Sequence, residues 1–284
     1  MHPPLMPETP PGEAGPDFQC EVHLSQAVDP AHRADVERFH RRTSLVHGEA
    51  VGIECTPFLE STVYNRLAGQ QVQIGARRLG SLDVPAEAGH ALLRRPPSRR
   101  RFAAARNLDY PRLQRFLLEA FCAPGARAGR GAVASAGAVY PVHVILIPRL
   151  PVTSAPFTPG QVLHVAFLER ALYLLAERPG MEVERACFGC PIDDAQGQFS
   201  HAAFTIAYVF DLDAGTLRYG ARGYRFGLLE CGAMTQQAAL VANAFGLESC
   251  LFGGFADAQL AVGLGLRPQT MLVSCIQVFG EAGH

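Results

Sequence analysis

Ala134-Ser135-Ala136-Gly137-Ala138-Val139-Tyr140-Pro141 runs directly into Val142–Ile147. Small residues, a glycine and a closing proline mark a turn. The segment after it is dense in β-branched residues, which suit a half-buried strand. The stretch therefore reads as a tight turn that delivers the chain into a strand. Upstream, Asp109 can cap a helix beginning at Tyr110, with Pro111 in its first turn. Leu113, Phe116, Leu117, Ala120 and Phe121 then recur at helical spacing and predict one buried face. Gly125–Gly131 reads as a flexible loop between that helix and the turn. Downstream, Val162–Leu168 and Ala203–Phe210 read as strands. Leu228–Phe245 reads as a long apolar helix stopped by Gly246. Leu251–Phe255 is short and apolar, Asp257 caps a helical turn, and Met271–Phe279 is a final buried strand. Strands are few and helices separate them irregularly. That pattern predicts an α+β fold, not a doubly wound sheet.

The chain has 284 residues, 48% hydrophobic and 18% charged, which is enough for a sizeable core. A net charge of -1 gives no electrostatic reason to expect nucleic acid as a partner. No lysine occurs anywhere, so all 25 basic residues counted as Lys or Arg are arginines. Biased composition explains this simply, but it has a chemical consequence. No lysine can serve as base or Schiff-base nucleophile, and anions must be held by arginine, hydroxyls or backbone N–H groups. The N-terminus lacks an apolar secretory core, and no stretch is apolar enough to span a membrane. Eight cysteines are too sparse for a disulfide scaffold. A reduced, cytoplasmic protein is the expectation.

Residues 1–19 form a Pro-rich tail that reads as disordered, 20–92 an N-terminal extension, and 93–284 the main domain. Within the extension, Asp29 and Pro30 can start a short basic helix. No Gly-x-Gly-x-x-Gly follows a strand and no phosphate-binding Gly-Lys loop exists, so a Rossmann or P-loop site is not expected. Cys187-Phe188-Gly189-Cys190 lacks the further ligands that zinc needs, so no metal site is expected. His143 and His164 lie in strand-like runs and read as packed or surface histidines.

A site for flavin mononucleotide (FMN) needs cations and hydroxyls for its phosphate, small residues where backbone meets the ring, and an N–H near N5. Ser98 and Arg100, backed by Arg95, supply the first. Ser135 and Gly137 lie on the turn, and Gly253-Gly254 offers bare backbone. Simpler readings stand beside these. Arg94–Arg101 can be a solvated charged run, Gly253-Gly254 a plain turn, Tyr219 and Tyr224 strand residues, and Gln236 and Gln237 helix surface.

Several segments resemble one family. Pro97-Ser98-Arg99-Arg100-Arg101-Phe102 is similar to the R-R-S-x-R-x-F opening of nitroreductases. Ala134–Pro141 resembles the P-S-x-G-A-x-Y-P segment of SagB-type dehydrogenases within that superfamily. Arg218-Tyr219-Gly220-Ala221-Arg222-Gly223-Tyr224-Arg225-Phe226 resembles their K-Y-G-x-R-x-Y-R-Y. Glu230-Cys231-Gly232, Gln236-Gln237 and Ala242 to Gly246-Leu247 follow their E-x-G-H-x-x-Q-N helix, and Gly253–Asp257 the loop after it. The order of these motifs carries more weight than any one of them.

The resemblance implies an α+β nitroreductase-like fold, a mostly antiparallel sheet wrapped by helices, with FMN at a homodimer interface. It implies an FMN-dependent oxidoreductase that dehydrogenates azoline rings in peptides. A proton leaves the ring carbon beside the carbonyl, and hydride passes to flavin N5. Arg95, Ser98, Arg100, Ser135, Gly137, Gln236, Gly253 and Gly254 are then the cofactor-binding set. Tyr219 and Arg218 are the catalytic pair. The chain departs from the family at Arg218, where the family has lysine, at Pro96 and Pro97, and at Ala233, where the family has histidine. If Arg218–Phe226 is extended, only one of Arg218 and Tyr219 reaches the ring. The expected partners are a second copy, a peptide or small heterocycle, and a cyclodehydratase complex. An NAD(P)H-dependent nitro or quinone reductase, or a catalytically weak scaffold subunit, are the alternatives.

Overall fold

The turn does deliver the chain into a strand, β2 (Val142–Pro148), near the middle of a six-stranded sheet. The computed structural model describes residues 29–44, 97–105, 107–122, 130–177, 183, 185–187 and 201–282. On one side of β2 lies β6 (Phe204–Asp211), in register from Val142↔Phe210 to Pro148↔Phe204. Beyond β6 come β8 (Met271–Glu281) and β7 (Leu247–Phe252). On the other side, β4 (Val162–Ala166) carries β5 (Ala171–Ala176) at its edge. Every pairing in this sheet is antiparallel. A separate parallel pair joins β1 (Leu108–Asp109) to β3 (Val152–Thr153). The α+β expectation holds.

Both faces of the central strands are covered, and their side chains alternate between two cores. Val142, Val144, Leu146, Phe204, Ile206, Tyr208 and Phe210 face one core. Ile145, Ile147, Ala207 and Val209 face the other, with Phe102, Phe255 and Leu260. The first core is roofed by α2 (Tyr110–Phe121), whose N-terminus is capped as expected: the Asp109 carboxylate accepts from the Arg112 N–H at 3.2 Å. Its buried residues are the five that the periodicity picked, Leu113, Phe116, Leu117, Ala120 and Phe121. The Phe116 ring meets those of Phe204 and Phe279 at 5.3 Å each. Burying a side chain of this kind contributes about 1.5–3 kcal/mol. Arg112 bonds the Glu281 carboxylate and the Phe245 carbonyl at 2.6 Å, which ties α2 to the end of the chain. α1 (Pro30–Thr43) is capped by Asp29, as read, and its Arg33 pairs with Asp213 at 3.0 Å.

The segment before the long helix is not extended. Leu212–Tyr219 is a helix, α3, and α4 begins at Arg222 and runs to Ala244. Asp211 caps α3 by accepting from the Ala214 N–H at 3.0 Å, and Gly220 stops it at φ 55°. The two helices then fold back on each other, and at Gly223 and Gly215 they meet backbone to backbone. A Cβ at Gly223 would lie 1.8 Å from the Gly215 carbonyl oxygen, and one at Gly227 would lie 2.2 Å from the Phe210 ring. Gly223→Ala therefore meets backbone that cannot swing aside. It is expected to destabilise the protein by about 3 kcal/mol, the upper end of overpacking costs, read as a lowered denaturant midpoint. An unchanged midpoint would overturn this account of the helix pair.

Two smaller corrections follow. Asp257 lies inside the first turn of α5 (Asp257–Gly263); Ala256 holds the cap position, without a side-chain bond. α4 is buried on one face only, through Cys231, Met234, Ala238 and Ala242, while Leu229 is 71% exposed and Gln236 lies on the surface. The expected stop at Gly246 is present, at φ 69°. The 1–19 tail, most of the 20–92 extension and most of the Gly125–Gly131 loop lie outside the described residues. Among those described, no helix is long and apolar enough to cross a membrane.

Candidate active site

The turn that opens β2 is strained. Gly137, Ala138 and Tyr140 have φ of 62°, 56° and 52°, in the left-handed region. For the two that are not glycine this costs of order 1–3 kcal/mol each. Local bonds hold the conformation. The Ser135 hydroxyl oxygen accepts from the Tyr140 N–H at 2.8 Å, and the Ser135 carbonyl from the Ala138 N–H at 3.1 Å. The Tyr140 ring sits edge-on to Phe167 at 5.8 Å.

The last two residues of α3 lie on this turn. Arg218 Nη1 points at the Gly137 carbonyl oxygen from 3.5 Å. A Cβ at Gly137 would come within 2.6 Å of the Tyr219 hydroxyl. The structure thus brings together Ser135, Gly137, Arg218 and Tyr219. Helical neighbours differ by about 100° around the axis, not by the half-turn of a strand, so both side chains reach one surface. This corrects the expectation that only one does. The Arg218 guanidinium also lies 5.6 Å from the centre of the Tyr219 ring, and Phe226 meets that ring edge-on at 5.1 Å. Arg218 is exposed and Tyr219 half-buried. Tyr224 is no strand residue; its ring packs against Phe39 and Phe210.

Beneath the turn stands Glu230 on α4, which sequence reasoning quoted within a motif but assigned no role. It is 3% exposed. Burial pushes its carboxyl above the usual range, while bonds from the Ser135 hydroxyl and the Val142 N–H pull it back. Its Oε1 has no hydrogen-bond partner among the described residues.

A second group lies at the other end of the sheet, around β7. The Arg99 N–H donates to the Ser249 carbonyl at 3.1 Å, and its guanidinium pairs with Glu248 at 3.2 Å. This places the exposed Ser98 and Arg100 beside β7, with Arg100 against the Cys250 thiol. Gly253 and Gly254 follow directly, and a Cβ at Gly253 would meet nothing. Arg95 lies outside the described residues. Gln277 links this group to α4. Its side-chain nitrogen donates to Ser249 Oγ at 3.1 Å and to the Thr235 carbonyl at 3.3 Å, and its oxygen accepts from Tyr208 at 2.8 Å. Thr235 precedes the exposed Gln236, about 9 Å along the helix from Glu230.

The residues present fit FMN. A hydroxyl and an arginine are exposed side by side at Ser98 and Arg100, as a doubly charged phosphate requires. The side-chain-free surface at Gly253 and the small residues of the turn leave room for a flat ring. A cavity of about 240 Å³ exists elsewhere, between α2 and the β4–β5 edge, but none of these residues lines it. Among the candidate site residues, Ser98, Arg100, Gly137 and Arg218 are exposed. His143 and His164 are packed, as read: their rings bond at 3.2 Å, and burial, helped by His143, pushes His164 down to about 4. No group of side chains among the described residues could hold a metal. Cys187 is buried and bonded to the Val183 carbonyl, and Cys190 lies outside the described residues.

A six-stranded antiparallel sheet packed against helices is the architecture of a nitroreductase-type protein. Residues 93–281 match the model described as the nitroreductase family, and the chain belongs to that family. Among relatives, it is 29% identical over 188 residues to the microcin B17-processing protein McbC of Escherichia coli, covering 66% of this chain and 67% of McbC. Its fold is similar to a chain in the E. coli microcin synthetase McbBCD complex with truncated pro-MccB17 bound. That match has a TM-score of 0.78 at 24% identity, over 93% of this chain and 97% of that one. A putative nitroreductase from Ralstonia eutropha also matches, with a TM-score of 0.55 at 17% identity, over 72% of this chain and 88% of its own.

Proposed function

We propose that this chain is an FMN-dependent dehydrogenase that oxidises azoline rings in a peptide. The observation that carries the reading is the placement of Tyr219 and Arg218 together on the Gly137 turn. Similarity to McbC, a microcin B17-processing protein, supports the peptide substrate. Similarity to a synthetase complex holding pro-MccB17 supports action beside a cyclodehydratase.

Ser98 and Arg100, with Arg95, would hold the FMN phosphate, and Gly253, Gly254 and Gln236 would line the approach to it. Ser135 and Gly137 would face the ring. FMN, once bound, supplies the hydride acceptor. Tyr219, acting as its phenolate, would take the proton from the ring carbon beside the substrate carbonyl and become the phenol, because guanidinium stays protonated and is a poor base. Arg218 would donate to that carbonyl as charge develops on it.

A homodimer completes the reading. Leu229 is 71% and Leu228 41% exposed on α4, and a Cβ at the neighbouring Gly232 would meet nothing. A second copy laid on this face would turn the open surface along Gln236 into a cleft. The expected interface buries more than about 2,000 Å².

The deciding experiment has two arms. Mass spectrometry of the cofactor released from purified protein should give FMN; FAD, or no flavin after reconstitution, overturns the assignment. With a thiazoline- or oxazoline-bearing peptide, the product should have lost two hydrogens from each ring. Inert azolines, together with NAD(P)H oxidation on a nitroaromatic, would make the chain a reductase instead.

A further inference from the structure

We infer that Asp211 is a positioning residue that joins the Gly137 turn to α3 and so sets where the Tyr219 hydroxyl lies. Asp211 ends β6 and directly precedes α3. Its backbone N–H donates to the Pro141 carbonyl at 2.8 Å, and Pro141 is the last residue of the turn. Its carboxylate works in the other direction. Oδ1 accepts from the Ala214 N–H at 3.0 Å and so caps the first turn of α3. Oδ2 faces His143 Nε2 across 3.7 Å, and His143 lies just beyond Pro141, on β2. His143 is in turn held by His164 on β4, its Nδ1 lying 3.2 Å from His164 Nε2. One residue thus touches the end of the turn, the strand that the turn feeds and the helix whose far end returns to the turn.

The effect is largest at that far end. The 8 residues of α3 span about 12 Å, so a tilt of about 5° at the cap carries Tyr219 about 1 Å. Displacing a reacting group by about 1 Å can cost about 100-fold in rate. Two further contacts hold α3, the Gly215–Gly223 approach to α4 and the Arg33–Asp213 pair to α1, and neither reaches the turn. Loss of the Asp211 carboxylate therefore leaves α3 folded but lets it shift against Gly137.

The role of Asp211 in turnover rests on the dehydrogenase reading above, whereas its hold on α3 is open to test in flavin-free protein. There the NMR signals of the Tyr219 ring, which sense the edge of Phe226 and the Arg218 guanidinium, should move in Asp211→Ala. Amide exchange at Ala214 should quicken about fivefold or more, while amides of β6 keep their protection. Asp211→Asn keeps an oxygen for the Ala214 N–H and ranks with aspartate as a cap, so both readouts should return close to those of the unsubstituted protein. In the FMN-loaded enzyme, Asp211→Ala should lower kcat about tenfold or more with a smaller change in KM, and Asp211→Asn should recover most of it. Because Asp211 acts through Tyr219, adding Asp211→Ala to Tyr219→Phe should cost less than about twofold further. Unmoved Tyr219 signals in Asp211→Ala, or signals that Asp211→Asn fails to restore, overturn the proposal. So does lost protection throughout β6, or losses that multiply in the double variant, since Asp211 would then support the fold at large and not the phenol. A protein that oxidises no azoline, but whose Tyr219 signals move and return as described, would leave the hold on α3 standing and remove the dehydrogenase reading.

Discussion

Tyr219→Phe is expected to lower turnover on an azoline peptide about 100-fold or more, with bound flavin unchanged. The phenol oxygen is the only atom removed, and it lies over Gly137, facing the turn, not buried in the core. Its ring is held on one side by the edge of Phe226 and on another by the Arg218 guanidinium, and phenylalanine keeps both contacts. The fold and the cofactor surface should therefore survive the change. What is lost is the group that exchanges a proton. The chain has no lysine to replace it. Arg218→Lys is the companion variant. A lysine there can still donate to a carbonyl and can also act as a base, so activity should be kept or raised. Full turnover in Tyr219→Phe would remove this residue from the mechanism. If both variants lost flavin as well as activity, the end of α3 would be a structural support and the proton carrier would lie elsewhere.

The fold was legible where a periodic apolar pattern met a clear stop signal. α2 was read to the residue on its buried face because five apolar positions recur at helical spacing behind an aspartate cap. β2, β6 and β8 were legible because they are buried on both faces and rich in β-branched and aromatic residues. α3 was missed. Its eight residues include Gly215 and Thr216, which blur the period, and the aromatic and arginine residues that follow suit a strand equally well. The signals that would have found it were local: Asp211 to cap it and Gly220 to stop it.

The site was legible as residues but not as an arrangement. Ser135, Gly137, Arg218 and Tyr219 each stood out, yet their meeting depends on the angle between α3 and the start of β2, which no local pattern encodes. Glu230 is the plainer case. A glutamate on a mostly apolar helix reads as surface, since an acid is seldom buried without a partner. Likewise Gln277, inside a run that reads as pure strand core, gave no hint that it ties β7 to α4.

Gly137→Ala tests the arrangement directly. The position has φ 62°, so any side chain there is strained whatever space it finds. Alanine in this region costs about 1–2 kcal/mol. The added methyl would also lie 2.6 Å from the Tyr219 hydroxyl and 3.0 Å from Arg218 Nη1. Both are the far ends of side chains, so they should swing away and leave the fold intact. The melting temperature should fall by a few degrees, since about 1 kcal/mol moves it about 2–4 °C in a protein of this size. Turnover should fall far more. A reacting group displaced by about 1 Å can cost about 100-fold. The variant therefore separates position from chemistry: it keeps the Tyr219 hydroxyl but moves it. A loss comparable to that of Tyr219→Phe, with only a small shift in melting temperature, is the expected result. Near-normal turnover would show that the phenol works from some other place than the Gly137 turn, and the site would have to be built around a different pose of α3.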